Sequence, residues 1–289
     1  MNIAVLGIGV MGSRMAQRLC QAGHSVHAWN RTKAKADPLL ALGATVHARA
    51  DSAAQAADIV ICMLEDGSVV SNVLFGSGAS KAIKPGSLVI DMSSIRPGEA
   101  RDHAARLSEL GVFHLDAPVS GGTLGAEQGT LAIMVGGKAD EFARAQPVFK
   151  ALGRSTHVGP HGSGQLTKLA NQMIVGITIG AVAEALLLCE KGGASMGKVK
   201  EAISGGFADS RILQVHGQRM VDRDFEPRAR MSVQLKDLRN ALATAQEIGF
   251  DAPVTRLFET LYSDGIKHGL TDLDHAGLFV ELASRNGMR

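Results

Sequence analysis

Cysteine is scarce in this chain: Cys20, Cys62 and Cys189 are the only three among 289 residues. Odd in number, far apart and in no Cys-x-x-Cys pair, they exclude a disulfide framework and a thiolate zinc site. They read instead as small core hydrophobes in a reducing compartment. Net charge is equally scarce, since 30 Lys and Arg against 28 Asp and Glu leave only +2. Tracking a nucleic acid requires a far larger positive excess, so no nucleic-acid partner is expected. Long apolar runs are missing too. The longest uncharged one lies between Lys168 and Glu184, about 15 residues that include Asn171, Gln172 and Thr178, against the roughly 18 that a membrane span requires. It is expected to be a buried helix, with no membrane association. The opening Met1-Asn2-Ile3-Ala4-Val5-Leu6 carries no basic segment and no cleavage site, and a cytoplasmic protein is expected. The ten histidines form no pair on one helix face with a third ligand. Asp272, Asp274 and His275 lie in a Gly/Thr-flanked segment, so no metal site is expected.

What is present is apolar residue, 45% of the chain, enough for a core in each of about two domains. Up to residue 160 or so, short β-branched runs alternate with helical stretches, the pattern of βα units feeding a parallel sheet. Strands are expected at Ile3–Leu6, Val26–Trp29, Ile59–Leu64, Leu88–Met92, Val112–Leu115 and Leu131–Val135. Crossover helices are expected at Met11–Ala22, Lys33–Leu42, Ser52–Ala57, Pro97–Leu110 and Asp140–Leu152. After Gly159-Pro160-His161-Gly162-Ser163-Gly164 the strand signal stops. A long apolar helix then runs from Gln165 to Lys191, and helical patterns follow at Met196–Ser204, Ile212–Asp222, Val233–Ile248 and Pro253–Lys267. The expected architecture is α/β: a Rossmann-type doubly wound sheet over residues 1–161, then an all-α C-terminal domain over 162–289 joined by a long interdomain helix, with the active site in the cleft between them. A helix apolar nearly all round needs cover on every side, which implies a homodimer or homotetramer.

Gly7-Ile8-Gly9-Val10-Met11-Gly12 follows the first strand directly and opens the first helix. The first Gly permits the tight turn, the second lets backbone approach a pyrophosphate, and the third lets helix pack on strand. A plain turn is the bland alternative, but strand, loop and helix come in the order that dinucleotide binding demands. NAD sites usually place an acid about 20 residues further on; here the second strand ends Trp29-Asn30-Arg31-Thr32. Arg31 suits the 2′-phosphate of NADP(H), with Asn30 and Thr32 as hydrogen-bond donors, so NADP(H) is preferred and NAD(H) is the alternative. Arg31 also reads as a solvated helix-start residue. Met63-Leu64-Glu65-Asp66 and Ser93-Ser94 lie at further strand ends facing the same crevice, as cofactor-lining loops or as ordinary βα turns.

Two stretches carry chemistry. Asp116-Ala117-Pro118-Val119-Ser120-Gly121-Gly122 ends a strand with a hydroxyl and two side-chain-free amides, a cradle for a carboxylate or else a Gly-rich turn. Lys168 is the only charge between Gly164 and Glu184, with Asn171 and Gln172 one turn on. Desolvation would disfavour its charged form and make it a proton donor, with the amide orienting a substrate oxygen; a snorkelling lysine is the alternative. Gly192-Gly193-Ala194-Ser195-Met196-Gly197-Lys198 imitates a P-loop, but Val199 replaces the Mg²⁺-binding hydroxyl and a helix precedes it, leaving a helix–helix turn.

Gly7–Gly12, Asp91-Met92-Ser93-Ser94-Ile95, Asp116–Gly122, Gly162–Gln172 and Lys236-Asp237-Leu238 together resemble the β-hydroxyacid dehydrogenase family, in order and spacing, over essentially the whole chain. Within it, Thr167–Gln172, Gly205-Gly206-Phe207, Ser210–Leu213, Phe225-Glu226-Pro227 and Leu273-Asp274-His275 resemble most the tartronate semialdehyde reductase branch. The resemblance implies a short aldehyde acid as substrate, Lys168 as catalytic lysine, Ser120, Gly121 and Gly122 on the substrate carboxylate, and Lys236 reaching cofactor and substrate. Gln172, where many relatives carry a second Asn, and Leu64-Glu65, where many carry Leu-Pro, depart from the family pattern. Rival readings are a 3-hydroxyisobutyrate dehydrogenase, a glyoxylate or succinic semialdehyde reductase, a non-catalytic NADP-binding sensor, and a related imine reductase, against which Lys168 argues.

Overall fold

The structure, a computed structural model, describes residues 1–288 and divides into two compact units, Met1–Lys168 and Leu169–Arg289. In the first, β1 (Asn2–Leu6) leads into α1 (Val10–Gln21) and β2 (Ser25–Trp29). Then come β3 (Thr45–Val46), α2 (Ala50–Gln55), β4 (Ile59–Cys62), α3 (Gly67–Ser71), α4 (Ala79–Ala82), β5 (Leu88–Asp91), α5 (Pro97–Ser108) and β6 (Phe113–Asp116). The unit continues through β7 (Val119–Ser120), α6 (Gly122–Gln128), β8 (Leu131–Gly136), α7 (Ala139–Leu152), β9 (Gly153–Gly159) and the first residues of α8 (Ser163–Lys191).

These strands form one nine-stranded sheet in the order β3-β2-β1-β4-β5-β6-β8-β7, with β9 on β8. The first six strands are parallel, and β8 runs antiparallel to β6 and β7. Strand side chains alternate between faces. Ile3, Val5, Ile59, Ile61, Leu88 and Ile90 join one buried layer with Met15, Leu19 and Phe149, whereas Ala4, Leu6, Val60, Cys62 and Val89 join another with Ala53, Ala100 and Leu107. A sheet covered on both faces reads in sequence as short apolar runs without polar alternation, which is why these strands were legible.

Three expectations change. Lys33–Leu42 is not a crossover helix but two 3₁₀ turns, Lys33–Lys35 and Asp37–Leu42, because Pro38 lacks the N–H that a continuous helix would need there. Strand β9 was not among the expected strands: Arg154, Ser155, Thr156 and His157 carry no apolar run, and they pair because β8 supplies a parallel register from Leu131↔Gly153 to Val135↔His157. The short β3 and β7 likewise appear only as partners of β2 and β8.

In the second unit the remainder of α8 is followed by α9 (Met196–Ile203), α10 (Gln218–Asp222), α11 (Met231–Glu247), α12 (Pro253–Lys267) and α13 (Leu278–Arg285). No strand occurs there among the described residues, only an isolated bridge between Arg230 and Asp274. Its core gathers Ile179, Ala183 and Leu186 of α8 with Leu235 and Leu238 of α11, Tyr262 of α12 and Phe279 of α13. Two glycines bring the helices close. A Cβ on Gly176 would lie 2.5 Å from Gln234 Nε2, and one on Gly180 would overlap the Phe258 ring.

Helix α8 is longer than its uncharged stretch. At 29 residues it is long and apolar enough, by length and composition alone, to cross a membrane, and 39% of its most apolar window is buried. Ile174 and Leu188 on it are 67% and 73% exposed.

The third glycine of the N-terminal loop sets how α1 meets β1. Gly7 takes φ +107°, and a Cβ on Gly12 would overlap the Gly7 carbonyl oxygen. Alanine in a helix normally gains up to about 1 kcal/mol over glycine. Gly12→Ala is expected to reverse that sign and cost about 1–3 kcal/mol, the range for forced overpacking, as read by chemical denaturation.

Candidate active site

Ligands in doubly wound sheets sit beyond the carboxyl ends of the strands, so the loops after β1, β2, β4, β5 and β6 are the place to look. The Gly7–Gly12 loop is held open by Asn30, whose Oδ1 accepts from Ile8 N at 3.0 Å and whose Nδ2 donates to Thr32 O at 2.9 Å. Asn30 therefore braces the glycine loop against the end of β2. Gly9 takes the N-cap position of α1 with no side-chain cap, and a Cβ there would meet nothing within 4 Å. That open approach to uncapped helix N–H groups suits a pyrophosphate. Arg31 and Thr32 beside it are exposed. These residues fit a dinucleotide, with the exposed Arg31 guanidinium at the position where a 2′-phosphate is distinguished.

The loops after β4, β5 and β6 are fastened together by buried polar groups. Ser93, fully buried, accepts from Leu64 N at 3.0 Å through its hydroxyl, which holds the Met63–Leu64 loop, and its own N donates to Asp91 Oδ1 at 3.0 Å. Asp91 and Asp116 are register partners on β5 and β6, both fully buried. Burial pushes the Asp91 carboxyl up to about 7, opposed by its bonds to Ser93 and reinforced by the charge of Asp116. Asp116 is also raised by burial, but N–H groups of Gly162 and Gln165 pull it back. Those bonds are short: Gly162 N to Asp116 Oδ1 is 2.8 Å and Gln165 N to Oδ2 is 2.9 Å.

Lys168, 9% exposed, sits on α8 one turn past Gln165. Ser120 lies half-buried on β7 opposite Ala132. Gly121, at φ +134°, and Gly122, at φ +62°, turn the chain into α6, and both are exposed. Positive φ at two successive positions is open to glycine and strained for any other residue.

In the second unit, Gln172 spends its carboxamide on α11. Its Nε2 donates to Asp237 Oδ2 at 2.7 Å, its Oε1 accepts from Asn171 Nδ2 at 2.9 Å, and Gln234 Nε2 returns a bond to the Gln172 carbonyl at 2.9 Å. Lys236 Nζ lies 3.3 Å from Asp237 Oδ1. Asp274 is buried against Arg219 at 2.8 Å. Asp91, Asp116 and Gln165 stood in recognisable motifs without a role assigned, and Ser93 was read only as part of a cofactor-lining loop or an ordinary turn. Two aspartates ending adjacent strands were the one signal that could have marked them.

A glycine loop at the first βα turn, strand-end loops tied together and a buried lysine define an NAD(P)-dependent oxidoreductase. Residues 2–160 match the model described as the NAD binding domain of 6-phosphogluconate dehydrogenase. Residues 162–281 match that described as NAD-binding of NADP-dependent 3-hydroxyisobutyrate dehydrogenase. The chain is 44% identical over 284 residues to the 2-hydroxy-3-oxopropionate reductase of Escherichia coli (strain K12), covering 98% of this chain and 97% of that one. It is 37% identical to the 3-hydroxyisobutyrate dehydrogenase of Pseudomonas aeruginosa, covering 96% and 95%. The Mycobacterium tuberculosis 3-hydroxyisobutyrate dehydrogenase structure superposes with a TM-score of 0.89 at 33% identity, covering 97% and 98%. The chain belongs to the β-hydroxyacid dehydrogenase family, whose members oxidise or reduce at a CH–OH carbon.

The raised Asp91 pKa has a signed consequence. Between about pH 4, where an unfolded aspartate ionises, and about 7, the folded state keeps a proton that the unfolded state has lost, so stability falls as pH rises and levels off above 7. Asp91→Asn lacks that loss. Urea unfolding is expected to find the variant gaining on wild type steadily from pH 4 to 7, with the gap constant beyond.

Proposed function

We propose that this protein reduces a short aldehyde acid, tartronate semialdehyde in the first instance, to the corresponding hydroxy acid, D-glycerate, with NADPH preferred over NADH. The observation that carries the chemistry is Lys168, a buried lysine one turn into a helix whose start is fastened to the end of β6. The 44% identity to a 2-hydroxy-3-oxopropionate reductase over nearly the full chain supports the choice of substrate. Residues 1–161 act in this reading as the cofactor-binding domain and 162–289 as the substrate and oligomerisation domain.

NADPH, when bound, supplies the hydride. The glycine loop from Gly7 to Gly12, including Ile8, Val10 and Met11, holds the pyrophosphate, and Arg31 pairs with the 2′-phosphate beside Thr32 and the Asn30 brace. Met63, Leu64 and Ser94 line the nicotinamide side. The Ser120 hydroxyl and the Gly121 and Gly122 N–H groups hold the substrate carboxylate, and Lys236 adds positive charge. As hydride reaches the aldehyde carbon, negative charge builds on the carbonyl oxygen, and Lys168 Nζ gives that oxygen a proton, leaving a neutral amine and a primary alcohol. Asn171 orients the oxygen, and Gln172 holds Asn171. In alcohol oxidation the neutral amine accepts the proton. The free cysteines suit a cytoplasmic enzyme. A second copy of the chain covers the exposed apolar residues of α8, giving a dimer or tetramer.

Lys168→Ala is expected to lower kcat by about 10²–10⁴ with cofactor binding nearly intact, the loss typical of a general acid. Lys168→Arg is expected not to restore it, because guanidinium does not give up its proton. Turnover of Lys168→Ala within about threefold of wild type would remove the lysine from the reaction. Steady-state rates on tartronate semialdehyde, methylmalonate semialdehyde, glyoxylate and succinic semialdehyde rank the substrates. In the same assays Arg31→Ala is expected to weaken NADPH more than NADH by about 1.5–3 kcal/mol, one charge-assisted contact. A wild type that prefers NADH would overturn the role given to Arg31.

A further inference from the structure

We infer that Asp116 and Gln165, neither of which touches substrate in the mechanism above, are the positioning residues that set where Lys168 stands relative to the carboxylate cradle and the nicotinamide loop. The inference rests on Lys168 being the proton donor. It is carried by a chain of hydrogen bonds in the first unit that passes through Gln165, one helical turn from that lysine.

The path begins at β6. Asp116 is fully buried, and the two oxygens of its carboxylate accept from Gly162 N and Gln165 N at 2.8 and 2.9 Å. Backbone closes around it. A Cβ on Gly136 would come within 2.6 Å of Asp116 Oδ1 and 2.7 Å of Gly164 N, and one on Gly164 would overlap the Asp116 carbonyl oxygen. The start of α8 is therefore seated against the end of β6 with no side chain between them. Three residues further along β6's exit, the same chain becomes Val119-Ser120-Gly121-Gly122, so one residue joins the carboxylate cradle to the lysine's helix.

Gln165 makes the second link. Its backbone N–H is the one held by Asp116, while its side chain, also fully buried, reaches the loop after β5: Nε2 donates to Ser93 O at 2.8 Å and Oε1 accepts from Ile95 N at 3.1 Å. Ser93 in turn holds Leu64 N. Gln165 and Lys168 are three residues apart and share a face of α8. The turn that carries the lysine is thus pinned at its backbone to Asp116 at the end of β6 and at its side chain to the loop after β5, which in turn holds the Met63–Leu64 loop through Ser93. A primary carboxamide offers a separate donor nitrogen and acceptor oxygen at the end of one side chain, which matches the Ser93 carbonyl and the Ile95 N–H that Gln165 meets. A carboxylate at the N-terminus of a 29-residue helix is further favoured by the helix dipole. Displacements of about 1 Å at a reacting group cost on the order of 10²-fold in rate, so loosening either tie is expected to be visible in kcat.

The test is a set of double-mutant cycles in the full-length protein, using NADPH and the aldehyde acid that wild type turns over fastest. Asp116→Asn turns one of the two acceptor oxygens into a donor facing an N–H. Gln165→Met keeps length and removes both side-chain bonds. Each is expected to lower kcat at least tenfold while KM for the aldehyde acid changes less than threefold. In the Lys168→Ala background each is expected to lower kcat by less than a further threefold, because a residue that acts through the lysine has nothing left to place. A loss that persists undiminished without the lysine is a general effect on the fold and overturns the inference, as does wild-type kcat in both single variants. Gln165→Met, neutral for neutral, carries the test if thermal melting shows that Asp116→Asn does not fold. Lys168→Ala at wild-type turnover would instead overturn the proposed reaction, and this inference with it. A crippled Lys168→Ala beside harmless Asp116→Asn and Gln165→Met would overturn this inference alone.

Discussion

The carboxylate of Asp116 is the constraint on which the first unit's functional edge depends. A charged or polar group taken out of water must find its hydrogen bonds inside the protein, and this one finds them in the backbone N–H groups at the start of α8. Those are groups that the helix itself cannot satisfy. Each side therefore answers the other's deficit at the junction. From that junction the path runs through Gln165 to Ser93 and Leu64, so three strand-end loops and one helix start behave as a single piece.

The parallel sheet explains why so much polarity collects at this edge. Both faces of β1, β4 and β5 are covered by apolar layers, which leaves no room for polar side chains along the strands. Polar groups appear where the strands end, as Asp91 and Asp116 do, at equivalent register. Two acids so close and so deep cannot both ionise freely. The hydrogen bonds decide between them, with two backbone N–H groups on Asp116 and bonds to Ser93 on an Asp91 that is pushed up to about 7.

In the second unit the departure from relatives at Gln172 acquires a physical meaning. An asparagine would be one methylene shorter than the side chain that here spans from α8 to Asp237 at 2.7 Å. With Gln234 closing the pair from the other side and Lys236 against the same aspartate, α8 and α11 are joined by a polar seam beside the contacts that Gly176 and Gly180 permit. Family membership places this chain among enzymes acting on hydroxy acids, while the substrate it prefers depends on such individual side chains rather than on the fold.

The sequence by itself determined the layout: apolar runs buried on both faces read as parallel strands, Gly7–Gly12 read as the first βα turn, and the loss of strand signal after residue 160 marked the all-helical part. These follow from local chemistry, since a glycine's freedom and a strand's apolar pattern are written in a few adjacent residues. Lys168 stood out for the same reason, as a lone charge in an apolar run. Tertiary structure alone decided the rest. Strand β9 exists because β8 offers a partner, and the helical reading of Lys33–Leu42 gave way where Pro38 interrupts it. Above all, the pairing of Asp116 with residues 46 and 49 positions away depends on which strand ends lie side by side. No local pattern encodes that adjacency, because a hydrogen bond across such a distance in sequence is created by the order of strands in the sheet.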